Sequence, residues 1–387
     1  MRKRILFIIG NLGEGGVSKS IVNLMNLIDR QRYDVTLFVC HSGGILMPLL
    51  PEGLKILTNP TTDALLSGFD GVKRLIRMSE TLKAVGSLTR MALSKVSKSM
   101  AGRLLARLMP PLDEEFDVAV DYNGQHQFYW MVDKVNAQRK LTFFHSDYAK
   151  WPYYYKADRR YMPEADGIFT ISETCAESLR RYFPAEKDKI GIVPNLSSPE
   201  MIRNFAGEEA PEMEIEGIRF ITVGHLSHMK GTDLALRAAS LLKQRGIGFH
   251  WFFIGKSSGD ADYAAMAREL GVADNVTFLG LRVNPYAYIG RADIFVHPSL
   301  FEGKSIALDE ARILARPVVV TNFSTVADQF TDRVDASVVE MNPESIADAI
   351  QELLSTPELR DSYIKALSSY LPDNSAELAN IYNILDR

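Results

Sequence analysis

The chain alternates between short apolar runs and stretches in which apolar residues return every three to four positions. Runs at 5–9, 35–40, 54–57, 118–120, 141–144 and 168–171 are followed, after a pause, by others at 220–223, 250–254, 276–280, 292–296 and 318–320. Runs this short and continuous predict strands buried on both faces of a parallel sheet. Between them, spacings such as Ile306, Ala307, Ala311 and Leu314 are those of a helix packed on a sheet. Strand and helix in alternation predict an α/β protein with doubly wound sheets. The pause at 207–217 is acidic, carrying Glu208, Glu209, Glu212, Glu214 and Glu216, and reads as a hinge. The expected organisation is a first domain over 1–205, the hinge at 206–217, a second domain over 218–372, and a final helix in 373–387 that returns to the first domain.

One helical stretch differs from the rest. From 72 to 108 the polar positions hold Lys73, Arg74, Arg77, Lys83, Arg90, Lys95, Lys98, Arg103 and Arg107 against a single acid, Glu80. Its apolar positions keep mostly helical spacing, with a break expected near Gly86. A basic amphipathic helix either solvates an ordinary helix face or lies on an anionic membrane surface. Both readings stay open from the pattern alone.

Composition narrows the class. At 387 residues and 46% hydrophobic, the chain can bury two cores, and no apolar run approaches the length of a membrane span. The opening Met-Arg-Lys-Arg mimics a signal peptide, but the apolar run behind it is too short and reads as a buried first strand. Cys40 and Cys175 stand far apart and suit a reducing cytoplasm. Residues 1–200 carry 27 Lys and Arg against 22 Asp and Glu, and the remainder carries 17 against 26. The basic first half is the one to turn toward an anionic surface. No Cys/His grouping has metal-ligand spacing and no Asp-x-Asp of the kind that holds Mg²⁺ appears, so metal independence is expected. No nucleic-acid partner is expected.

The chemistry concentrates at 301–321. Glu302 follows an apolar run in a Gly-containing turn, and Glu310 lies about a turn and a half into a helix beginning near Ser305. Strand, acid-bearing turn and acid-bearing helix are how an open α/β sheet builds a ligand site at its carboxyl edge. The N–H groups of Ser305 and Ile306 would face an anion such as a phosphate. A second Gly-rich turn, 10–20, follows the first strand. Its residues 13–20 come close to a nucleoside-triphosphate loop centred on Lys19, but Ser18 stands where the glycine before the lysine belongs. The alternative that the spacing leaves is a turn kept only for its tight geometry. His145, at the end of the 141–144 strand, is a candidate ligand group. The aromatic stretch 151–156 either covers an acceptor or belongs to the core. His297 reads as a packed strand-end residue.

Glu-x7-Glu, followed by Ala and then a Pro-Val-Val-Val-Thr strand, resembles the signature of the retaining glycosyltransferases of family 4, which have the GT-B fold. The resemblance spans nearly the whole chain and includes the glycine turn, Ile-Ser-Glu at 171–173, Val-Pro-Asn at 193–195 and Gly-x-Leu-Ser…Lys-Gly at 224–231. It implies two Rossmann-like domains facing a cleft, with acceptor on the first and nucleotide sugar on the second. It implies that Gly15 and Gly16 let the backbone approach donor phosphate or acceptor, that Lys230 meets the donor pyrophosphate, Glu310 the ribose, Glu302 the sugar and His145 the sugar and its phosphate, and that the backbone at Leu281 and Arg282 meets the base. His225 stands where the family has Arg, and His, unlike Arg, is not always charged; Lys304 is the cation available to substitute. The implied activity is transfer from UDP- or GDP-sugar to a saccharide hydroxyl, lipid-linked, as in bacterial capsule and exopolysaccharide synthesis. The protein would then be cytoplasmic or peripheral on the inner face of the plasma membrane. A catalytically silent GT-B subunit and a phosphotransferase using Lys19 are the alternatives.

Overall fold

A computed structural model describes residues 2–13, 15–150, 152–302, 304–370 and 373–387. The described residues separate into two compact units, 1–196 with 374–387, and 197–373. The first unit contains a seven-stranded sheet of order β3-β2-β1-β4-β5-β6-β7. Its strands are β1 (Lys3–Asn11), β2 (Tyr33–His41), β3 (Lys55–Thr58), β4 (Leu112–Asp121), β5 (Val135–Phe144), β6 (Gly167–Thr170) and β7 (Ile190–Ile192). The second contains a six-stranded sheet of order β10-β9-β8-β11-β12-β13. Its strands are β8 (Ile218–Val223), β9 (Phe249–Ile254), β10 (Val276–Gly280), β11 (Ile294–His297), β12 (Val318–Thr321) and β13 (Ser337–Val339). Every pairing is parallel.

Burial explains why the strands read as runs rather than alternations. In the second unit Phe220, Trp251, Phe253 and Val296 join one core, while their neighbours Ile221, Phe252, Ile254 and Phe295 join another. Successive side chains leave a strand on opposite faces, so both sets are covered by helices and both must be apolar. Each sheet also reverses its winding once, between β1 and β4 and between β8 and β11. Ligands of open α/β sheets bind outside the carboxyl ends of the strands flanking such a reversal.

Three local expectations change. The unit boundary falls at 196/197, because the helix Pro199–Ala206 packs on the helix Tyr286–Arg291 of the second unit. The acidic 206–217 stretch is likewise tied into that unit: Ala210 and Met213 are fully buried and Glu212 pairs with Arg282 at 2.8 Å. The 72–108 segment is three helices, Gly68–Arg77, Thr81–Ser94 and Lys98–Leu108, broken around Ser79 and Val96 rather than at Gly86. Gly86 lies inside the middle helix because a Cβ there would come within 2.6 Å of Leu108 Cδ2. It lets two helices approach and does not end one.

The final helix, Ser375–Asp386, packs within the first unit. Ile381, Ile384 and Leu385 are buried. Arg139 donates to Ile384 O at 2.8 Å, Lys3 to Asp386 O at 2.7 Å, and Tyr33 Oη to Asp386 Oδ1 at 3.0 Å.

Candidate functional site

The carboxyl ends of β8 and β11 carry a dense polar cluster. After β8 the chain passes Gly224, with φ 156°, and enters a 3₁₀ turn, His228–Lys230, capped by Ser227 Oγ accepting from Lys230 N–H at 3.2 Å. Gly231 follows at φ 67°, with an ideal Cβ only 1.9 Å from Pro298 O. Only glycine lets this loop rest against the loop after β11. The approach is sealed by Leu300 N–H donating to Met229 O at 3.0 Å. It delivers Lys230 Nζ to both carboxylate oxygens of Glu302 at 2.7 Å.

Glu302 is 9% exposed and has two further donors. His297 Nε2 and Ser299 Oγ each reach its Oε1 at 2.9 Å. Burial pushes the carboxyl up, but His297 and Lys230 together outweigh it and hold Glu302 down at about 2. The carboxylate is therefore ionised and preorganised to accept hydrogen bonds. Lys230 and Glu302 meet directly, where the sequence assigns them to separate parts of a ligand. His297 belongs to this cluster rather than to plain strand packing. Ser299, like His297, carries no motif of its own; the end of β11 and the loop after it bring them to Glu302.

The helix expected near Ser305 spans Ile306–Ile313, with Ser305 as its N-cap. The Ser305 N–H is not presented outward, because it donates to Gln329 Oε1 at 3.0 Å. Gln329 Nε2 returns two bonds, to Ser305 O and Asp309 Oδ1, each at 2.9 Å. In the sequence Gln329 opens no recognisable site, because a lone Gln after a strand gives no signal until the fold sets it beside a helix start. Glu310 is 1% exposed and hydrogen-bonded by the Tyr286 hydroxyl, whose own ionisation burial and Glu310 push far up. Lys304 is exposed and stands 3.8 Å from Asp309 Oδ2. His225 is exposed. Leu281 is 39% exposed, while the Arg282 guanidinium is spent on Glu212, Tyr288 and Leu279 O. That leaves backbone, not side chain, at this position for a ligand. Gly303 lies outside the described residues.

One Asp-x-Asp sequence occurs, Asp260-Ala261-Asp262, in the loop before the helix Tyr263–Glu269. Both carboxylates are occupied locally. Asp260 accepts from His228 N–H at 2.8 Å and from Ser258 Oγ at 2.6 Å, and Asp262 caps the helix Tyr263–Glu269. Among the described residues no three His, Cys, Asp or Glu are grouped to hold a metal ion.

In the first unit, Gly15 adopts φ 116° and Gly16 begins the helix Gly16–Leu27 at the end of β1. His145 follows β5. Its Nδ1 lies 3.3 Å from Asn195 Oδ1, and its ring packs on Tyr122 with centroids 4.6 Å apart. Asn195 also accepts from Ser20 Oγ at 2.8 Å, which ties the Val-Pro-Asn segment to the glycine-turn helix. Burial pushes His145 down to about 4 against the Asn195 bond, so it is neutral at pH 7. Its Nε2 is buried with no partner among the described residues. Of the 151–156 aromatics, Trp151 lies outside the described residues, Tyr155 packs on Tyr182 and Phe183, and Tyr153 is 59% exposed.

Two doubly wound parallel sheets, each with one reversal, make the fold that of the GT-B glycosyltransferases. A glycosyltransferase from Rickettsia africae superposes over 100% of this chain and 98% of its own, with TM-score 0.64 and 14% identity. HepE from Anabaena, solved with UDP and glucose, superposes over 100% of both chains with TM-score 0.65 and 13% identity.

Residues 209–368, which contain the Lys230–Glu302 cluster, match the family model described as glycosyl transferases group 1. The chain is 26% identical over 231 residues to the putative glycosyltransferase EpsF of Bacillus subtilis, covering 54% of this chain and 58% of EpsF. It is 28% identical over 203 residues to a Campylobacter jejuni diphospho-undecaprenol 4-alpha-N-acetylgalactosaminyltransferase, covering 52% and 54%. The match thus spans little more than half of each of these relatives.

Proposed function

We propose that the protein is a retaining, metal-independent glycosyltransferase that moves a sugar from a nucleotide-diphosphate sugar to a saccharide hydroxyl in cell-surface polysaccharide synthesis. The observation that carries this is the Lys230–Glu302 pair at the reversal of the second sheet, inside the region matching glycosyl transferases group 1. Retention is supported by the Glu-x7-Glu signature, and a lipid-linked acceptor by the diphospho-undecaprenol substrate in the name of the Campylobacter relative.

Glu302, ionised and nearly enclosed, accepts hydrogen bonds from sugar hydroxyls. Lys230 is a flexible point charge that turns from Glu302 to the diphosphate as negative charge develops on the leaving group. His225, Lys304 and the Ile306 N–H at the helix start add to that neutralisation. Glu310 exchanges Tyr286 for the ribose hydroxyls, and the backbone at Leu281 and Arg282 receives the base. On the first unit, neutral His145 serves as a hydrogen-bonding group for substrate, and Gly15 and Gly16 permit close backbone approach to it.

We further propose that the first unit rests on an anionic membrane surface from the cytoplasmic side. Support comes from Phe69, Ile76, Leu82, Val85, Val96 and Met100, all exposed between residues 69 and 100, where Lys73, Arg77, Lys95 and Lys98 are exposed too. The stripe is less continuous than the sequence suggests, since Arg74 pairs with Asp63 at 2.7 Å, Lys83 with Glu80 at 2.8 Å, and Arg90 and Arg103 bury their Nε atoms.

Thermal-shift binding against UDP, GDP, ADP, CMP and ATP, with and without EDTA, tests the donor site. A ligand at 100 times its Kd stabilises by about 2.7 kcal/mol. One nucleoside diphosphate stabilising the protein without metal, less so in Glu310→Ala, is the expected result; UDP is tried first because HepE binds it. Stabilisation by ATP only with Mg²⁺ moves the site to Lys19 and discards the proposal. With the donor known, Glu302→Ala and Lys230→Ala each lose turnover about a hundredfold, the effect of removing one preorganised transition-state contact. UDP binding without transfer to any acceptor favours a silent subunit, which the His225 departure makes the second reading.

A further inference from the structure

The carboxyl end of β2 carries a cluster that the proposed function leaves unused. Asn11 and His41 pair where β1 and β2 end, one strand from the reversal of the first sheet. The loop after β2 is pressed onto the loop after β1. Leu46 N–H donates to Leu12 O at 2.9 Å, and an ideal Cβ on Gly44 would lie 2.1 Å from Leu12 C. Only glycine permits that approach. His41 therefore stands on the same edge as the glycine turn, where ligands of open α/β sheets bind.

The His41 ring is fixed there. Its Nδ1 lies 2.6 Å from Asp63 Oδ1, which also accepts from Ser42 N–H at 3.0 Å, and Arg74 Nη2 lies 2.7 Å from Asp63 Oδ2. Asp63 belongs to the helix Pro60–Leu66 and is 4% exposed. Burial pushes its carboxyl up, but Arg74, the Ser42 N–H and His41 outweigh it and hold it below its ordinary value. A carboxylate only accepts, so His41 Nδ1 carries the hydrogen of this bond and Nε2 is the nitrogen left for another partner. Both cationic side chains stay open to solvent, His41 44% and Arg74 41% exposed, and none of their nitrogens is buried without a partner. The two oxygens of one carboxylate thus hold an imidazole and a guanidinium side by side at the surface. Asp63 balances one positive charge. An oxyanion balances the second, accepting from the guanidinium fork and from Nε2–H of the protonated ring. A saccharide hydroxyl would meet the ring alone and leave the fork unmatched.

We propose that His41 and Arg74, positioned by Asp63, bind the diphosphate of a lipid-linked acceptor at the carboxyl edge of the first unit. A free phosphate and a phospholipid headgroup offer the same chemistry. The diphosphate is favoured because the helix that carries Arg74 also carries Phe69 and Ile76, 71% and 56% exposed, which suits an anion joined to an apolar chain. The assignment to the acceptor rests on the transferase reading; the anion site itself does not.

Calorimetric titrations with phosphate, pyrophosphate, geranyl diphosphate and short-chain phosphatidylglycerol, with and without saturating UDP, are paired with NMR of the histidine rings. Pyrophosphate and geranyl diphosphate are expected to bind more tightly than the other two and to shift the His41 ring resonances. His41→Gln and Arg74→Gln should each weaken that binding about tenfold, the loss of one charge-assisted contact. Lys95→Gln, which removes an exposed cation just after the helix Thr81–Ser94, should leave it unchanged. Asp63→Asn should move the His41 Nδ1 resonance in the free protein, which a loss of stability alone would not do. Amide spectra show that each variant is folded, and His41→Gln decides if Arg74→Gln is not. Ligands that leave the His41 ring unmoved, or that bind His41→Gln as tightly as wild type, overturn the site. Phosphatidylglycerol bound as tightly as geranyl diphosphate overturns the acceptor assignment in favour of a membrane headgroup, and phosphate bound as tightly as pyrophosphate does so in favour of a free phosphate. Failure of wild type to bind any nucleoside diphosphate would instead count against the transferase reading, with the His41 response unaffected.

Discussion

A carboxylate enclosed by a lysine, a histidine and a serine stays ionised well below the usual range, and this gives Glu302 a measurable signature. Its folded value of about 2 lies below the ordinary 4.5. The unfolded chain therefore binds the proton first as pH falls. The stabilisation is complete above pH 4.5 and is lost progressively toward pH 2, amounting to about 3 kcal/mol in all. Urea unfolding of wild type and Glu302→Gln is expected to show a clear gap at pH 6 that narrows markedly at pH 3. A gap independent of pH would mean that Glu302 is not held ionised. Glu302 and Lys230 are legible in the sequence because each belongs to a motif with fixed spacing. His297, Ser299, Gln329 and Tyr286 are not, because each acts through a partner brought to it by packing, and none of these types is rare enough to stand out alone.

Loops between elements decide whether the cluster forms. Gly231 combines a left-handed backbone with a carbonyl 1.9 Å from where a Cβ would sit. Gly231→Ala should cost at least about 2 kcal/mol, from backbone strain plus displacement of the loop after β11. It should also weaken nucleoside diphosphate binding, since the same contact holds Lys230 on Glu302. Chemical denaturation and thermal shift on one variant check both, and full stability would refute the close approach. Most elements were readable at this scale, since doubly buried strands are short apolar runs and helices keep their 3.6-residue spacing. The exceptions are instructive. β13 is three residues long, too short to register as a run. The amino-terminal half of β4 alternates exposed and part-buried residues, unlike its buried end. The break at Ser79 depends on a non-glycine residue at φ 62°, whereas the eye goes to Gly86.

At the scale of the molecule, the first unit is assembled from two distant parts of the chain. Removing residues 374–387 strips Ile381, Ile384 and Leu385 from its core and should destabilise that unit by about 5 kcal/mol or more. The second unit, continuous from 197 to 373, should keep its stabilisation by nucleoside diphosphate. Calorimetry of the truncated chain checks this, and an unchanged first transition would show that the helix is dispensable. The membrane proposal is tested by co-sedimentation with vesicles: binding is expected to those rich in anionic phospholipid, to fall with salt, and to drop several-fold in Leu82→Asp/Val96→Asp. Equal binding to neutral vesicles would contradict it.

The returning helix also bears on how the protein is made. A ribosome releases β1 to β7 long before residues 374–387, so the earliest segment to emerge is the last to acquire its full core. The second unit, encoded in one stretch, can close while the first still waits with Tyr33 and Arg139 unmet. Translation that stalls after residue 373 would yield a finished second unit attached to an incomplete first unit, a form that quality-control proteases should recognise by its first unit alone.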